Sequence, residues 1–266
     1  MENTNIKKSL VDELSEDKEL DQKIVKTLYS KETLCEDIFE KRGNQYILNE
    51  GIRDKLIKIA DAFIGFIGIN IFIYDVVLTG SLANYNWSEY SDIDLHILVN
   101  LDEIINDDKH SKIIEQIMTE FFKSKKDEWN ENHDIKIKGY EVEVYVQDID
   151  EKHISAGVYS ILNNKWINEP KKGKDSIDDA KIISKSEEYA SAIDNVIEKS
   201  ENGEDVTSEI DDLRKKLKRF RQSGLEEGGE YSYENLTFKL LRRNGYIGKL
   251  FNLRKHVMDK KLSVKQ

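Results

Sequence analysis

The segment that decides the fold runs from Leu78-Thr79-Gly80-Ser81, through ten residues, to Asp92-Ile93-Asp94-Leu95-His96-Ile97. An apolar run ends in a Gly-Ser pair, and a second apolar run carries two aspartates at alternate positions. Because side chains alternate across a β-strand, Asp92 and Asp94 are predicted to face the same side. Adjacent carboxylates repel each other, and they are tolerated most easily when a divalent cation lies between them.

The Gly80-Ser81 pair adds a second element to this pattern. A Gly-Ser turn beside a strand can present backbone N–H groups to a phosphate. Carboxylates that hold a cation next to a phosphate cradle indicate phosphoryl or nucleotidyl transfer. The competing interpretation is a surface turn followed by an ordinary half-buried strand. The two motifs together, at this spacing and between apolar strands, favour the catalytic interpretation.

This arrangement resembles the polymerase-β-type nucleotidyltransferase superfamily. The signature of that superfamily is Gly-Ser or Gly-Gly, a spacer of roughly ten residues, and Asp-x-Asp or Asp-x-Glu in an apolar strand. Parts of the chain are also similar to a poorly characterised group of nucleotidyltransferases common among phage-encoded proteins: residues 79–87, 90–96, 143–148, 228–236 and 240–246. This likeness spans most of residues 45 to 260.

The resemblance implies a third acidic residue on a neighbouring strand. Residues 139–147 alternate, with valines on one face and Glu141, Glu143, Tyr145 and Gln147 on the other. The match to the superfamily pattern selects Glu143, with Glu141 as a flanking acid. The predicted catalytic and metal-binding set is therefore Asp92, Asp94 and Glu143.

The resemblance also implies a cofactor and a donor. We expect two Mg²⁺ ions, with Mn²⁺ as an alternative because both accept octahedral oxygen ligands. The donor would be ATP or another NTP, bound through Gly80 and Ser81 and through basic residues further along the chain, Arg242, Arg243 and Lys249. An NMP would move to a hydroxyl acceptor, and pyrophosphate would be released.

The acceptor is less sharply predicted than the chemistry. An RNA 3′ end or a protein side chain is favoured, and a small acceptor of the aminoglycoside kind is not excluded. One alternative function is a nucleotide-binding antitoxin or regulatory interaction protein. Another is the synthesis of an oligonucleotide messenger.

Composition restricts the class of protein. The chain has 266 residues, of which 38% are hydrophobic and 35% are charged, as expected for a soluble globular protein. One cysteine excludes an intramolecular disulfide and a thiol-based metal cluster. The charged N-terminus is unlike a secretory leader, and the longest apolar stretch, Ala62 to Ile73, is too short to span a bilayer. We therefore expect a cytoplasmic protein with no membrane partner, in the host cytoplasm if it is phage-encoded.

Charge is unevenly distributed along the chain. From Leu213 to Gln266 there are fifteen Lys or Arg and five Asp or Glu, whereas the whole chain has a net charge of −11. Aromatic residues are interleaved with the basic ones and can stack on bases. The segment is predicted either to bind a polyanion, RNA or triphosphate, or to dock on the acidic half of the chain.

Periodicity predicts an α+β protein: a mixed-sheet nucleotidyltransferase core with helices, followed by a C-terminal helical domain. We divide the chain into an N-terminal helical extension (1–45), a catalytic core (46–170) and a helical domain with a basic C-terminal segment (171–266). Asn49 is predicted to cap a helix that ends near Gly65 or Gly68. A strand is expected from Ile71 to Leu78, and hairpins around Gly139-Tyr140 and Asn163-Asn164.

Overall fold

The computed structural model describes residues 22–104, 111–151, 155–173 and 177–264. The chain divides into two compact units, residues 30–175 (the sheet unit) and residues 1–29 with 176–266 (the helical unit). The predicted α+β class is confirmed, since a mixed sheet with helices is followed by a C-terminal helical region. Residues 1–21 of the predicted N-terminal helical extension lie outside the described residues.

The sheet unit contains a two-stranded and a six-stranded sheet. Its elements are β1 (Phe39–Arg42), β2 (Gln45–Leu48), α1 (Glu50–Ile67), β3 (Asp75–Thr79), β4 (Ile93–Val99), α2 (Leu101–Ile104), α3 (Ser111–Asn132), β5 (Lys136–Ile137), β6 (Tyr140–Asp148), β7 (Val158–Ser160) and β8 (Lys165–Asn168). The larger sheet has the order β5-β6-β4-β3-β7-β8. β4 and β6 are parallel, and the other neighbours are antiparallel. β3, β4 and β6 therefore lie side by side at its centre.

The first helix begins and ends where the sequence predicts. The side chain of Asn49 accepts hydrogen bonds from the backbone N–H groups of Gly51 and Ile52, at 3.0 Å and 3.4 Å. Gly68 ends the helix with a left-handed backbone, φ 75°, which glycine adopts without strain. Strand β3 begins at Asp75, four residues later than expected.

One face of the six-stranded sheet forms the core of the sheet unit. Ile93, Leu95 and Ile97 of β4 are fully buried there. They pack in the same cluster as residues from β6 and from α1: Val142, Val144, Leu56, Ala60 and Phe63. Because residues alternate along each strand, the intervening residues of β4 and β6 lie on the opposite face.

The predicted helix over residues 1–45 is wrong for its last residues. Phe39 begins a strand that pairs with β2 through Leu48, and Gly43 makes the turn with φ 63°. Phe39 is buried and stacks on Trp166 at 5.1 Å between ring centroids. The remaining residues of this strand are partly or fully exposed and charged, so its sequence lacks the apolar alternation by which strands are recognised.

The helical unit consists of helical segments joined by short connections. Its elements are a 3-10 helix (Gln22–Leu28), α4 (Asp179–Glu201), α5 (Thr207–Gly228), a 3-10 turn (Gly229–Tyr231), α6 (Tyr233–Arg243) and α7 (Tyr246–Leu262). Buried apolar residues of all four α-helices form its core clusters. Over the described residues, none of the helices combines the length and the apolar content of a membrane span.

Candidate active site

Gly80 lies at the end of β3 in a conformation that other residues avoid. Its φ and ψ are 73° and −163°, a region that essentially only glycine occupies. A Cβ placed there would lie 1.7 Å from Oδ2 of Asp94. The absence of a side chain at Gly80 therefore lets the Asp94 carboxylate pack directly against the turn.

The residues after Gly80 form a rigid connection to β4. Ser81 donates its hydroxyl hydrogen bond to Ser91 at 2.8 Å, and Asn84 donates to the Gly80 carbonyl at 2.6 Å. Asn84, Asn86, Ser88 and Ser91 are all buried. Polar residues that look like a solvated loop in the sequence thus hold the turn in place through internal hydrogen bonds.

Gly157 contributes to this connection and was not predicted from the sequence. A Cβ at Gly157 would lie 2.0 Å from the carbonyl oxygen of Ala83, so the chain leading into β7 can approach the turn only with glycine at this position. Ser155, two residues earlier, accepts a hydrogen bond from Asn84 at 2.9 Å. A lone glycine in a loop carries no signal of such a contact.

Strand pairing brings the predicted acids together. Asp94 is the register partner of Thr79 on β3 and of Glu143 on the parallel strand β6. Asp92 directly precedes β4 and, like Asp94, is half-buried. Glu141, the flanking acid, is instead exposed and forms a salt bridge with Lys136 at 3.4 Å.

Tyr145 connects the three acids. Its hydroxyl donates a hydrogen bond to Oε2 of Glu143. Burial raises the pKa of Tyr145 well above its ordinary value, and the hydrogen bond to Glu143 and the charges of Glu143, Asp94 and Asp92 raise it further. One hydroxyl is therefore within electrostatic reach of all three carboxylates.

A second row of polar side chains follows on the same face. His96 and Tyr145 are register partners, with ring centroids 4.9 Å apart. Nδ1 of His96 lies 2.6 Å from Oε1 of Gln147, whose amide nitrogen donates to the carbonyl of Glu151 at 3.3 Å. The alternation of residues 139–147 places Tyr145 and Gln147 on the face of Glu143, which is the signal that indicates them in the sequence.

The donor set can be compared with the needs of a divalent cation. Three carboxylates supply the oxygen ligands that Mg²⁺ and Mn²⁺ prefer, and Gly80 leaves room for one of them. Within the described ranges, however, no three His, Cys, Asp or Glu side chains form a group that could hold a metal ion as they stand. The chemistry of the residues fits a cation, while Glu143 is engaged by Tyr145.

The predicted basic residues of the nucleotide site belong to the helical unit. Arg242 is exposed in the last turn of α6, and Arg243 donates to the hydroxyl of Thr27 at 2.5 Å. Lys249 of α7 lies 3.9 Å from Oδ1 of Asp194. Burial and the charges of Arg243, Arg242 and Arg221 lower the pKa of Lys239 to about 8, against the opposing effect of Glu230.

Comparison with known families gives one match. Residues 58–169 match the family model described as nucleotidyltransferase domain, a stretch that is less than half of the chain. It contains the Gly80 turn and the three acids Asp92, Asp94 and Glu143. The comparisons with curated proteins and with solved structures gave no match. The similarity therefore concerns the part of the sheet unit that carries the candidate site.

Proposed function

We propose that the protein is a metal-dependent nucleotidyltransferase that moves an NMP from an NTP to a hydroxyl acceptor and releases pyrophosphate. The observation that supports it most directly is the packing of Asp94 against the Gly80 turn, with Glu143 opposite it on the parallel strand. The stretch similar to nucleotidyltransferase domains includes all these residues. Neighbouring carboxylates beside a glycine turn lower stability because they repel each other. The same arrangement can bind a cation next to a phosphate.

Asp92, Asp94 and Glu143 would hold the cation, with Mg²⁺ in two copies as the favoured occupant and Mn²⁺ as an alternative. The bound cation would neutralise phosphate charge and lower the pKa of the attacking hydroxyl. Gly80 and Ser81 would orient the outer phosphates through backbone N–H groups. The Ser81 hydroxyl is engaged by Ser91, so in this proposal it fixes the turn.

Arg242, Arg243 and Lys249 are proposed as nucleotide-binding residues. The support is a concentration of positive charge: Arg243, Arg242 and Arg221 lower the pKa of Lys239, with Glu230 as the opposing carboxylate. Guanidinium groups suit phosphate because they offer several N–H donors in a fixed plane. Lys249, which is near Asp194, would contribute least.

RNA is the acceptor that the charge pattern favours over a protein side chain. Lys215, Lys218 and Arg219 are exposed on α5 at positions i, i+3 and i+4, so they share one face of the helix. Within the described part of the chain, Lys218 and Arg219 form no ion pair. Cations with no counter-charge at helical spacing are suited to a phosphate backbone.

The alternative of a nucleotide-binding regulatory protein is favoured by one observation. The acids as they stand do not form a metal-binding group within the described residues. Such a protein would bind NTP and would release no pyrophosphate.

Labelled NTPs test these functions. The full chain is incubated with Mg²⁺ or Mn²⁺ and each labelled NTP, in three arms that contain total RNA, total protein or no acceptor. We expect label in the RNA arm, and we expect it to disappear in the Asp92→Ala/Asp94→Ala variant. The Glu120→Ala/Glu128→Ala variant, which removes two exposed carboxylates from α3, controls for net charge.

Each arm separates one function from the others. Label in the protein arm alone would indicate that the acceptor is a protein side chain. A soluble oligonucleotide product without an acceptor would indicate messenger synthesis. NTP binding without pyrophosphate release in any arm would overturn the enzyme in favour of the binding protein.

A further inference from the structure

The Tyr145 side chain is held in a fixed position among the acids. Its ring lies beside that of His96, and Nζ of Lys126 lies 5.0 Å from the ring centroid. The hydroxyl donates to Glu143. A tyrosine held by contacts to its ring presents its hydroxyl at a defined point, so this hydrogen bond belongs to the framework of the site.

The hydrogen bond has an electrostatic role. Three carboxylates on two adjoining strands repel one another when no cation is present. A hydroxyl proton directed at one of them offsets part of this repulsion, and hydrogen bonds to charged groups are stronger than neutral ones. Tyr145 therefore stabilises the arrangement of acids in the cation-free protein.

The same hydrogen bond opposes the cation. The Oε2 lone pair of Glu143 that accepts the hydrogen bond from Tyr145 cannot bind a metal ion at the same time, so the hydroxyl and the cation compete at that oxygen.

We infer that Tyr145 competes with the divalent cation for Glu143, holding the third carboxylate in the cation-free protein and releasing it when the cation binds. The inference rests on the proposed function, because it requires Asp92, Asp94 and Glu143 to be the cation site. Tyr145 is in this view a positioning residue that sets the cation concentration at which the site fills.

The test measures cation binding directly, without nucleotide. Mn²⁺ is titrated into the full-length protein, and free Mn²⁺ is followed by electron paramagnetic resonance. Tyr145→Phe removes the competing hydroxyl and is expected to bind Mn²⁺ roughly tenfold more tightly, the scale of a hydrogen bond to a charged group. Its unfolding temperature is expected to fall in EDTA and to rise more than that of the wild type on addition of Mn²⁺.

Tyr140→Phe is the matched control. Tyr140 lies on the same strand, and its hydroxyl accepts a hydrogen bond from Sγ of Cys35 at 3.6 Å on the buried side. We expect its Mn²⁺ affinity to equal that of the wild type. Tyr145→Leu also lacks the hydroxyl and carries the same expectation as Tyr145→Phe, should the phenylalanine variant fold poorly.

A double-mutant cycle separates competition from a general structural effect. In a Glu143→Gln background, removal of the Tyr145 hydroxyl is expected to leave Mn²⁺ affinity unchanged, because the contested carboxylate is gone. An unchanged or weaker affinity in Tyr145→Phe, or a tighter one that persists with Glu143→Gln, would overturn the inference alone. A wild type that binds no Mn²⁺ would overturn the proposed cation site as well.

Discussion

The two faces of β4 have opposite properties over residues 93–97. On one face Ile93, Leu95 and Ile97 of β4 are fully buried against the core. On the other, Asp94 and His96 lie between them in sequence and remain half-buried. Apolar burial stabilises the first face, whereas the second gathers charges of one sign, which destabilises it. Over this part of β4, one face contributes to stability and the other carries the candidate site, whereas further along the strand Leu98 belongs to a buried apolar cluster.

The largest effect expected from this comparison concerns Asp94. Asp94→Asn keeps the shape of the side chain and removes its charge, so it should lower label transfer on the order of a thousandfold, as loss of a preorganised electrostatic group does. The free energy of unfolding should stay the same or rise, because repulsion with Asp92 and Glu143 is relieved. Label transfer and urea unfolding measure the two quantities.

Leu95→Ala is the control from the other face of the same strand. Truncation of this fully buried side chain should lower the free energy of unfolding by about 2–5 kcal/mol. Transfer per folded molecule should change little. The distinction between the faces would be lost if Asp94→Asn destabilised the protein as much as Leu95→Ala does.

A smaller effect is expected at Gly80. A Cβ at this position meets the Asp94 carboxylate, so Gly80→Ala should displace that group and slow transfer roughly a hundredfold, the scale of a misplacement of about 1 Å. Gly139→Ala is the matched control, because Gly139 also has a positive φ, 89°, and its Cβ would meet no heavy atom within 4 Å. The two variants share backbone strain and differ in the contact with Asp94. Equal transfer rates in the two variants would show that backbone strain, and not the contact with Asp94, causes the loss of transfer.

The smallest effect extends the comparison to the helical unit, where burial penalises the charged form of Lys239 and three arginines add to this penalty. Its pKa of about 8 lies below the ordinary value of about 10.4, so the unfolded chain binds the proton more tightly. The charged form therefore destabilises the folded state below pH 8, and this penalty disappears as the pH rises to about 10. Lys239→Met should be more stable than the wild type at pH 7, and the difference should shrink between pH 8 and 10.

Unfolding temperatures at several pH values measure this difference. The groups that act on Lys239 are Glu230, Arg243, Arg242 and Arg221, and the arginines keep their charge throughout the range. A constant difference between the variants, or a wild type that is more stable at pH 7, would contradict the lowered pKa of Lys239.

Much of the fold is readable from local patterns. The alternation of β4 and β6, the Asn49 cap and the helical character of the C-terminal region were predicted from the sequence. The β1–β2 hairpin was missed because its inward-facing residues are few and its first strand is mostly charged. Phe39 of this short strand packs against aromatic residues that lie far from it in the chain, and local patterns do not reveal such contacts.

The candidate site likewise combines residues that were predicted from the sequence with contacts that were not. Asp92, Asp94 and Glu143 followed from the motifs, and their roles stay predictions. The contact of Gly157 with Ala83, the internal hydrogen bonds of the spacer and the hydrogen bond from Tyr145 to Glu143 were not foreseen. Each joins residues whose spacing in the sequence carries no periodic signal, or depends on a rotamer that the surrounding packing selects.

The sequence by itself determined which face each residue of β4 and β6 takes, because alternation is a local property of a strand. Only the tertiary structure decided that Asp94 pairs with Glu143 in a parallel register across the α3 crossover. The physical reason is that a shift of one residue would exchange the two faces of β6, and the register that keeps Val142 and Val144 in the core is the one that brings the acids together.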